Sequence, residues 1–221
     1  MKQNFYFRLL FILLVSLSVN SYAQSGKPFW NDIQKFKHKD SLSMPPKKKV
    51  VFVGSSSFTR WNDLETVYKD YHAINRGFGG STLQQANDYI NELVFAYKPK
   101  QVVIYSGEND IAEGTSADET FSRFTTFFNN IRKGLPKANI LYISMKLSPS
   151  RMKFADNVNK ANTMIKEYIS KQKNARFIDV NSKMLDANGE PRPDLFVEDM
   201  LHMKPAGYDI WIKEITPYLK K

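Results

Sequence analysis

Hydrophobic positions along this chain follow two alternating patterns. A short unbroken apolar run occurs at residues 50–53, and short, largely apolar segments at 71–75, 101–106, 139–145 and 175–180. Such runs, bounded by polar residues or Gly, predict strands buried on both faces. A helix is expected after the first strand, over 58–68. Later segments repeat apolar residues three and four apart. Residues 83–97 carry Leu83, Ala86, Ile90, Leu93, Val94 and Tyr97; residues 118–133 carry Phe121, Phe124, Phe128 and Ile131. Residues 154–169 carry Val158, Ala161, Ile165 and Ile169, and residues 205–216 carry Tyr208, Trp211, Ile212 and Ile215. That spacing predicts amphipathic helices, ended by Pro99, by Gly134 and Pro136, and by Pro217. Strands alternating with helices predict an α/β fold: a three-layer α/β/α sandwich around a parallel sheet of about five strands.

In such sheets sites lie outside the carboxyl ends of the strands. Three polar, Gly-rich turns fall there, at 54–57, 75–82 and 107–110. The first is Gly54 followed by Ser55, Ser56 and Ser57, which sets hydroxyls beside the free N–H groups of a helix start. A serine nucleophile is favoured there because negative charge grows next to it during acyl transfer. The same residues also suit a plain helix N-cap. Of three histidines, His38 lies before the first strand and His72 within the second. His202 follows Asp199 by three residues, just before the last helix. An Asp so placed can hold the imidazole Nδ1–H and leave Nε2 as a general base, although an isolated pair of this kind is also common on surfaces.

The first residues change the picture of where the protein works. Lys2 and Arg8 precede the apolar run 9–15, and Ser21-Tyr22-Ala23 supplies small residues for a cut after Ala23. This predicts a signal peptide over 1–23 and an exported chain, periplasmic or secreted, with no stable membrane span after cleavage. Residues 24–46 read as a lead-in packed on the domain, with a short helix after Phe29-Trp30. Residues 47–221 are the main domain, large enough for a full core. The formal charge of +10 falls to +8 without Lys2 and Arg8. The basic residues are scattered, with short runs at 35–39 and 47–49 that suit a solvated face or an anionic surface. Nucleic acid is not an expected partner, since no aromatic–basic stripe is present. The chain has no Cys, which excludes disulfides, thiol catalysis, Cys-ligated metals and a lipidated N-terminal Cys.

Four blocks in order resemble the SGNH hydrolases, or GDSL-type esterases and lipases. They are Val53-Gly54-Ser55-Ser56, the stretch 75–82 (NRGFGGST), Gly107-Glu108-Asn109-Asp110, and Asp199-Met200-Leu201-His202 with its continuation to Tyr208. The resemblance covers most of the chain after residue 23 and points to the platelet-activating-factor acetylhydrolase-like branch. It implies a flavodoxin-like fold and a triad of Ser56, His202 and Asp199. It also implies an oxyanion hole from the Ser56 and Gly80 N–H groups and the Asn109 amide. The Asp usual in the family's Gly-Asp-Ser is Ser55 here, so the choice among three adjacent serines rests on the alignment of blocks. No metal or other cofactor is expected.

The expected function is hydrolysis of acetyl or other short acyl esters, small-molecule or carbohydrate. Two alternatives stand beside it. One is a lysophospholipase or thioesterase acting on long acyl chains. The other is a non-catalytic carbohydrate-binding relative, which has no need of a complete Ser, Gly, Asn and His set. The turns expected around the site are short and polar, with Trp61 and Phe78 the nearest aromatic residues, available for a shallow pocket or for packing. The residues do not indicate an oligomeric state.

Overall fold

The computed structural model describes residues 26–47 and 49–221; the expected signal peptide lies outside them. Five strands form one sheet: β1 Val50–Gly54, β2 Ala73–Gly77, β3 Gln101–Tyr105, β4 Asn139–Ile143 and β5 Ala175–Ile178. All pairs are parallel and the order is β2-β1-β3-β4-β5. This is the flavodoxin-like order, in which the chain reverses direction across the sheet at β1 and β3 and opens a crevice at their carboxyl ends. The helices are α1 Trp30–Leu42, α2 Ser56–Thr59, α3 Leu64–Val67, α4 Leu83–Asp88, α5 Ile90–Leu93, α6 Glu108–Ala112, α7 Ala117–Gly134, α8 Ala155–Ser170 and α9 Pro205–Ile215. None of them is long and apolar enough to cross a membrane.

The unbroken apolar runs have a simple cause: both faces of the sheet are covered. Val51, Val53, Val102 and Ile104 point to a core shared with α4, α7 and α8. Their neighbours Val50, Phe52, Val103 and Tyr105 point to the opposite core, against Phe58, Trp61 and Trp211. Successive side chains alternate between faces, so every position in these strands must be apolar when helices cover both.

Several expected boundaries shift, each through tertiary contact. The helix expected over 58–68 is two single turns, α2 and α3, because Trp61 turns inward between them and packs against Tyr208 and Trp211. The helix expected over 83–97 breaks at Tyr89, whose hydroxyl donates to the Pro28 carbonyl at 2.7 Å. The second strand begins at Ala73, since His72 takes a left-handed conformation, and runs on to Gly77 through Arg76. A buried Arg within a strand is invisible to a search for apolar runs. On α7, Phe127 is fully buried and Phe121 only partly, because α4 and α8 both pack on this helix and widen its buried face.

Arg76 also ties α1 to the sheet. Its Nη2 meets Asp40 Oδ1 at 2.6 Å, with the side chains 1% and 12% exposed. Its Nε donates to the Tyr97 hydroxyl at 2.6 Å, and Tyr97 donates in turn to Asp40. Burial pushes the Tyr97 phenol up to about 12, so it remains a donor. Phe36 of α1 stacks on the same guanidinium, 5.1 Å away. A buried cation without its anion is far costlier than the pair is favourable. Asp40→Ala should therefore lower the unfolding free energy by about 3–5 kcal/mol, measured by denaturant titration. A loss below about 1 kcal/mol, the range of exposed pairs, would mean that Arg76 is solvated in solution.

Candidate active site

The carboxyl end of β1 is the foundation. A Cβ on Gly54 would lie 1.9 Å from the Tyr105 carbonyl oxygen, so only Gly lets β1 approach β3 so closely. Ser55 continues extended and donates its N–H to the same carbonyl at 3.1 Å. Ser56 then opens α2. Ser55 and Ser57 are 3% and 4% exposed, whereas Ser56 is half-buried. A reagent in solvent therefore reaches one hydroxyl of the three. The dipole of a long helix over 58–68 is absent, because α2 has a single turn; the local N–H groups remain.

The turn after β2 lies against Ser56. Asn75 bridges the two, donating from Nδ2 to the Phe58 carbonyl at 2.8 Å and accepting from the Gly77 N–H at 2.9 Å. A Cβ on Gly79 would sit 3.8 Å from Ser56 Cβ. Gly80 is exposed and has φ of 84°, a left-handed conformation that costs Gly nothing. Phe29, ahead of α1, packs edge-on against Phe78 at 5.4 Å and backs this turn.

Asn109, on α6, is 7% exposed. Its Nδ2 donates to the Ser81 carbonyl at 3.0 Å, and its Oδ1 accepts from Arg151 Nη1 at 3.0 Å. The guanidinium can only donate, which settles which end of the amide is which. One of the two Nδ2 protons is used on Ser81, and the second has no partner among the described residues. The next residue, Asp110, accepts from the Leu83 N–H at 2.9 Å and from Arg123 at 3.1 Å, holding the start of α4 to the exit of β3.

On the turn before α9, Asp199 Oδ1 accepts from the N–H groups of Leu201 and His202, both at 2.9 Å. Asp199 Oδ2 lies 2.6 Å from His202 Nδ1. Desolvation pushes the Asp199 carboxyl up, but the His202 ring and these two N–H groups outweigh it and hold it well below the usual carboxylate range. Asp199 is thus the ionised partner of the imidazole. Tyr208 of α9 donates to the Ser57 carbonyl at 2.9 Å, joining this segment to α2.

The five residues expected at the site therefore fall into two linked sets at one edge of the sheet. Ser56, Gly80 and Asn109 are linked through Gly79 and Ser81, and His202 is linked to Asp199. Among the described residues no hydrogen bond joins Ser56 Oγ to His202, an arrangement common where no substrate is bound. No group of His, Asp and Glu among the described residues is arranged to hold a metal ion. Sequence reasoning expected the turn 147–152 near the site but did not single out Arg151, and it missed the roles of Glu108 and Asp110. A polar residue inside the third block was the only signal for the last two.

This edge, with its Gly-Ser-Ser-Ser turn, its Asn-Asp helix start and its Asp-x-x-His turn, matches a known family over residues 50–210, described as the GDSL-like lipase/acylhydrolase family. The chain belongs to that family. It is an ester hydrolase with the SGNH fold. Solved structures agree on the fold. One from Streptococcus pneumonia, provisionally named a platelet activating factor, is 18% identical with a TM-score of 0.76, covering 94% of this chain and 99% of its own. A GDSL-like lipase from Bacteroides thetaiotaomicron is 23% identical with a TM-score of 0.72, covering 85% and 96%. The acetylxylan esterase Axe2 of Geobacillus stearothermophilus is 17% identical with a TM-score of 0.60, covering 77% and 94%. A comparison with curated proteins finds no match.

Two outcomes test the site. Ser56→Ala should lower ester hydrolysis by about 10⁴-fold or more and abolish fluorophosphonate labelling. Ser55→Ala and Ser57→Ala should keep turnover; a dead Ser57→Ala beside an active Ser56→Ala would reassign the nucleophile. The Asp199 carboxylate orients the imidazole, so Asp199→Asn should reduce kcat for aryl acetates by at least about 10-fold while leaving KM near its original value. An unchanged kcat would separate Asp199 from the base.

Proposed function

We propose that this acylhydrolase is an exported serine esterase that removes acetyl or other short acyl groups, with carbohydrate esters among its substrates. Ser56 Oγ attacks the ester carbonyl as His202 Nε2 takes its proton. Asp199 holds the imidazole and stabilises its charge. The Ser56 and Gly80 N–H groups and the free Asn109 Nδ2 proton receive the oxyanion. His202 returns the proton to the leaving alcohol, and water then repeats the cycle on the acyl-enzyme. The observation that carries this reading is the 2.6 Å Asp199–His202 contact on a turn built around it, which a binding module does not need. The leader over 1–23 supports export.

Acyl length is argued from what surrounds Ser56. Trp61 and Phe78 are each 1% exposed and belong to the core, so neither offers a flexible apolar wall. Of the large apolar residues exposed in the described chain, Met200 alone adjoins the base turn; Leu42, Met44 and Tyr218 are elsewhere. A cavity of about 380 Å³ lies beside the base turn, lined by Val197, Met203 and Ile212 as well as Arg60, Asp63 and Lys204, but Ser56, Gly80, Asn109 and His202 do not line it, so it offers no tunnel for an acyl chain on Ser56. Each further buried CH₂ would add about 0.8 kcal/mol only if an apolar tunnel received it. On aryl esters kcat/KM should be greatest for acetyl or propionyl and fall by octanoyl. A steady climb to decanoyl would favour the long-chain reading instead.

A further inference from the structure

The candidate oxyanion donor rests on a cluster of buried charge. Glu108, one residue before Asn109, is 5% exposed, and Lys146, just after β4, is 2% exposed. Lys146 Nζ lies 3.0 and 3.3 Å from the two Glu108 carboxylate oxygens, and the Tyr105 hydroxyl also donates to Glu108. Lys146 alone therefore neutralises this carboxylate. A second cation is nonetheless present. Arg151 Nη1 is shared between Glu108 Oε1 at 3.1 Å and Asn109 Oδ1 at 3.0 Å. One anion faces two cations, so positive charge is left over directly behind the Asn109 amide. Largely buried charge of one sign is unfavourable unless an opposite charge arises nearby. Desolvation pushes the Glu108 carboxyl up, but Lys146 and Arg151 outweigh it and keep it low, so Glu108 counts as one full negative charge against two cations.

The segment carrying Arg151 is fixed along its length. The Met145 N–H and carbonyl are both bonded by Asn162, at 2.9 and 2.8 Å, and the Leu147 N–H donates to Asn181 at 2.7 Å. The Ser150 N–H and hydroxyl both donate to the Met200 carbonyl, at 3.1 and 3.0 Å, inside the Asp199–His202 turn. Adjacent residues of one anchored segment thus reach the base turn and the oxyanion donor.

We propose that Arg151 is a positioning residue for Asn109: it fixes the amide with Nδ2 toward the Gly80 turn and strengthens that donor with the surplus positive charge. This rests on the oxyanion role of Asn109 given above. Donation to Oδ1 blocks an amide flip, which would present a carbonyl oxygen to an oxyanion. It also polarises the amide, so the free N–H becomes a better donor in a site of low dielectric. Arg151 is 23% exposed, so water meets part of this charge in the resting site, and the oxyanion adds an opposite charge only as it forms, which places the benefit on the transition state.

The test is a double-mutant cycle on an aryl acetate. Asn109→Ala should lower kcat by about 10²–10³ with little change in KM. Arg151→Met should lower kcat by about 10- to 100-fold, with KM within about twofold and the acid limb of the pH profile unmoved. Arg151→Lys, which keeps the charge, should recover part of the loss. The double variant Arg151→Met/Asn109→Ala should be no slower than Asn109→Ala alone. Multiplying losses in the double variant, or a raised KM at unchanged kcat, would overturn the proposal and make Arg151 an independent or substrate-binding group. Should Arg151→Met fail to fold, the same cycle with Arg151→Lys decides by the same additivity. An impaired Asn109→Ala beside a fully active Arg151→Met would remove only this inference. A fully active Asn109→Ala beside a dead Ser56→Ala would remove the oxyanion reading, and this inference with it.

Discussion

The candidate site depends on how closely β1 and β3 meet where they end. A side chain at Gly54 would occupy the space of the Tyr105 carbonyl, and that carbonyl takes the Ser55 N–H. The chain therefore leaves the sheet at one place and in one direction, which buries Ser55 and Ser57 and turns Ser56 outward. The same approach brings the exit of β3, with Glu108 and Asn109, beside the exit of β1. Since the strands are parallel and in register, with Gly54 opposite both Gly77 and Tyr105, the turn after β2 arrives at the same level. A family that needs an acyl-transfer serine between two sets of donors can build it from this register with no further architecture.

Two buried charge clusters flank that edge, and they serve different ends. Around Arg76, Asp40 matches the single cation, and Tyr97 and Phe36 exclude water. Its effect is to lock α1 onto β2 and so to hold the turn carrying Gly80. Around Glu108 the charges do not balance, because Lys146 already neutralises the carboxylate and Arg151 is additional. Desolvation opposes both clusters, and good geometry offsets it in both. A balanced cluster is suited to structure, whereas a surplus cation beside a hydrogen-bond donor is suited to an anion that exists only during reaction.

Sheet-forming segments were legible because each is short and bounded by Gly or polar residues, and the central ones, β1 and β3, are apolar on both faces. The long helices α7, α8 and α9 were legible because one stripe of each meets one layer. What failed was continuity. Residues 58–68 and 83–97 have the spacing of single helices, yet Trp61 turns in toward Tyr208 and Trp211, and Tyr89 is held by Pro28. These contacts join segments far apart in the chain, so no local window contains them. The end of β2 failed for another reason: a buried Arg reads as polar until its partners at Asp40 and Tyr97 are known.

The sequence by itself determined the class of sheet, the edge at which chemistry belongs and the family, because these depend on periodicity and on short motifs whose parts are neighbours in the chain. It also carried the identities of Ser56, Gly80, Asn109, Asp199 and His202 as candidates. Only the tertiary structure showed that Ser56 is more exposed than Ser55 and Ser57, since exposure depends on the packing of β3 and α9 around the turn. It alone brought Arg151 and Lys146 to Glu108 and Asn109, some forty residues earlier in the chain. Long-range electrostatic partners are set by which strand ends lie side by side, and strand order is a property of the folded sheet and not of any one segment.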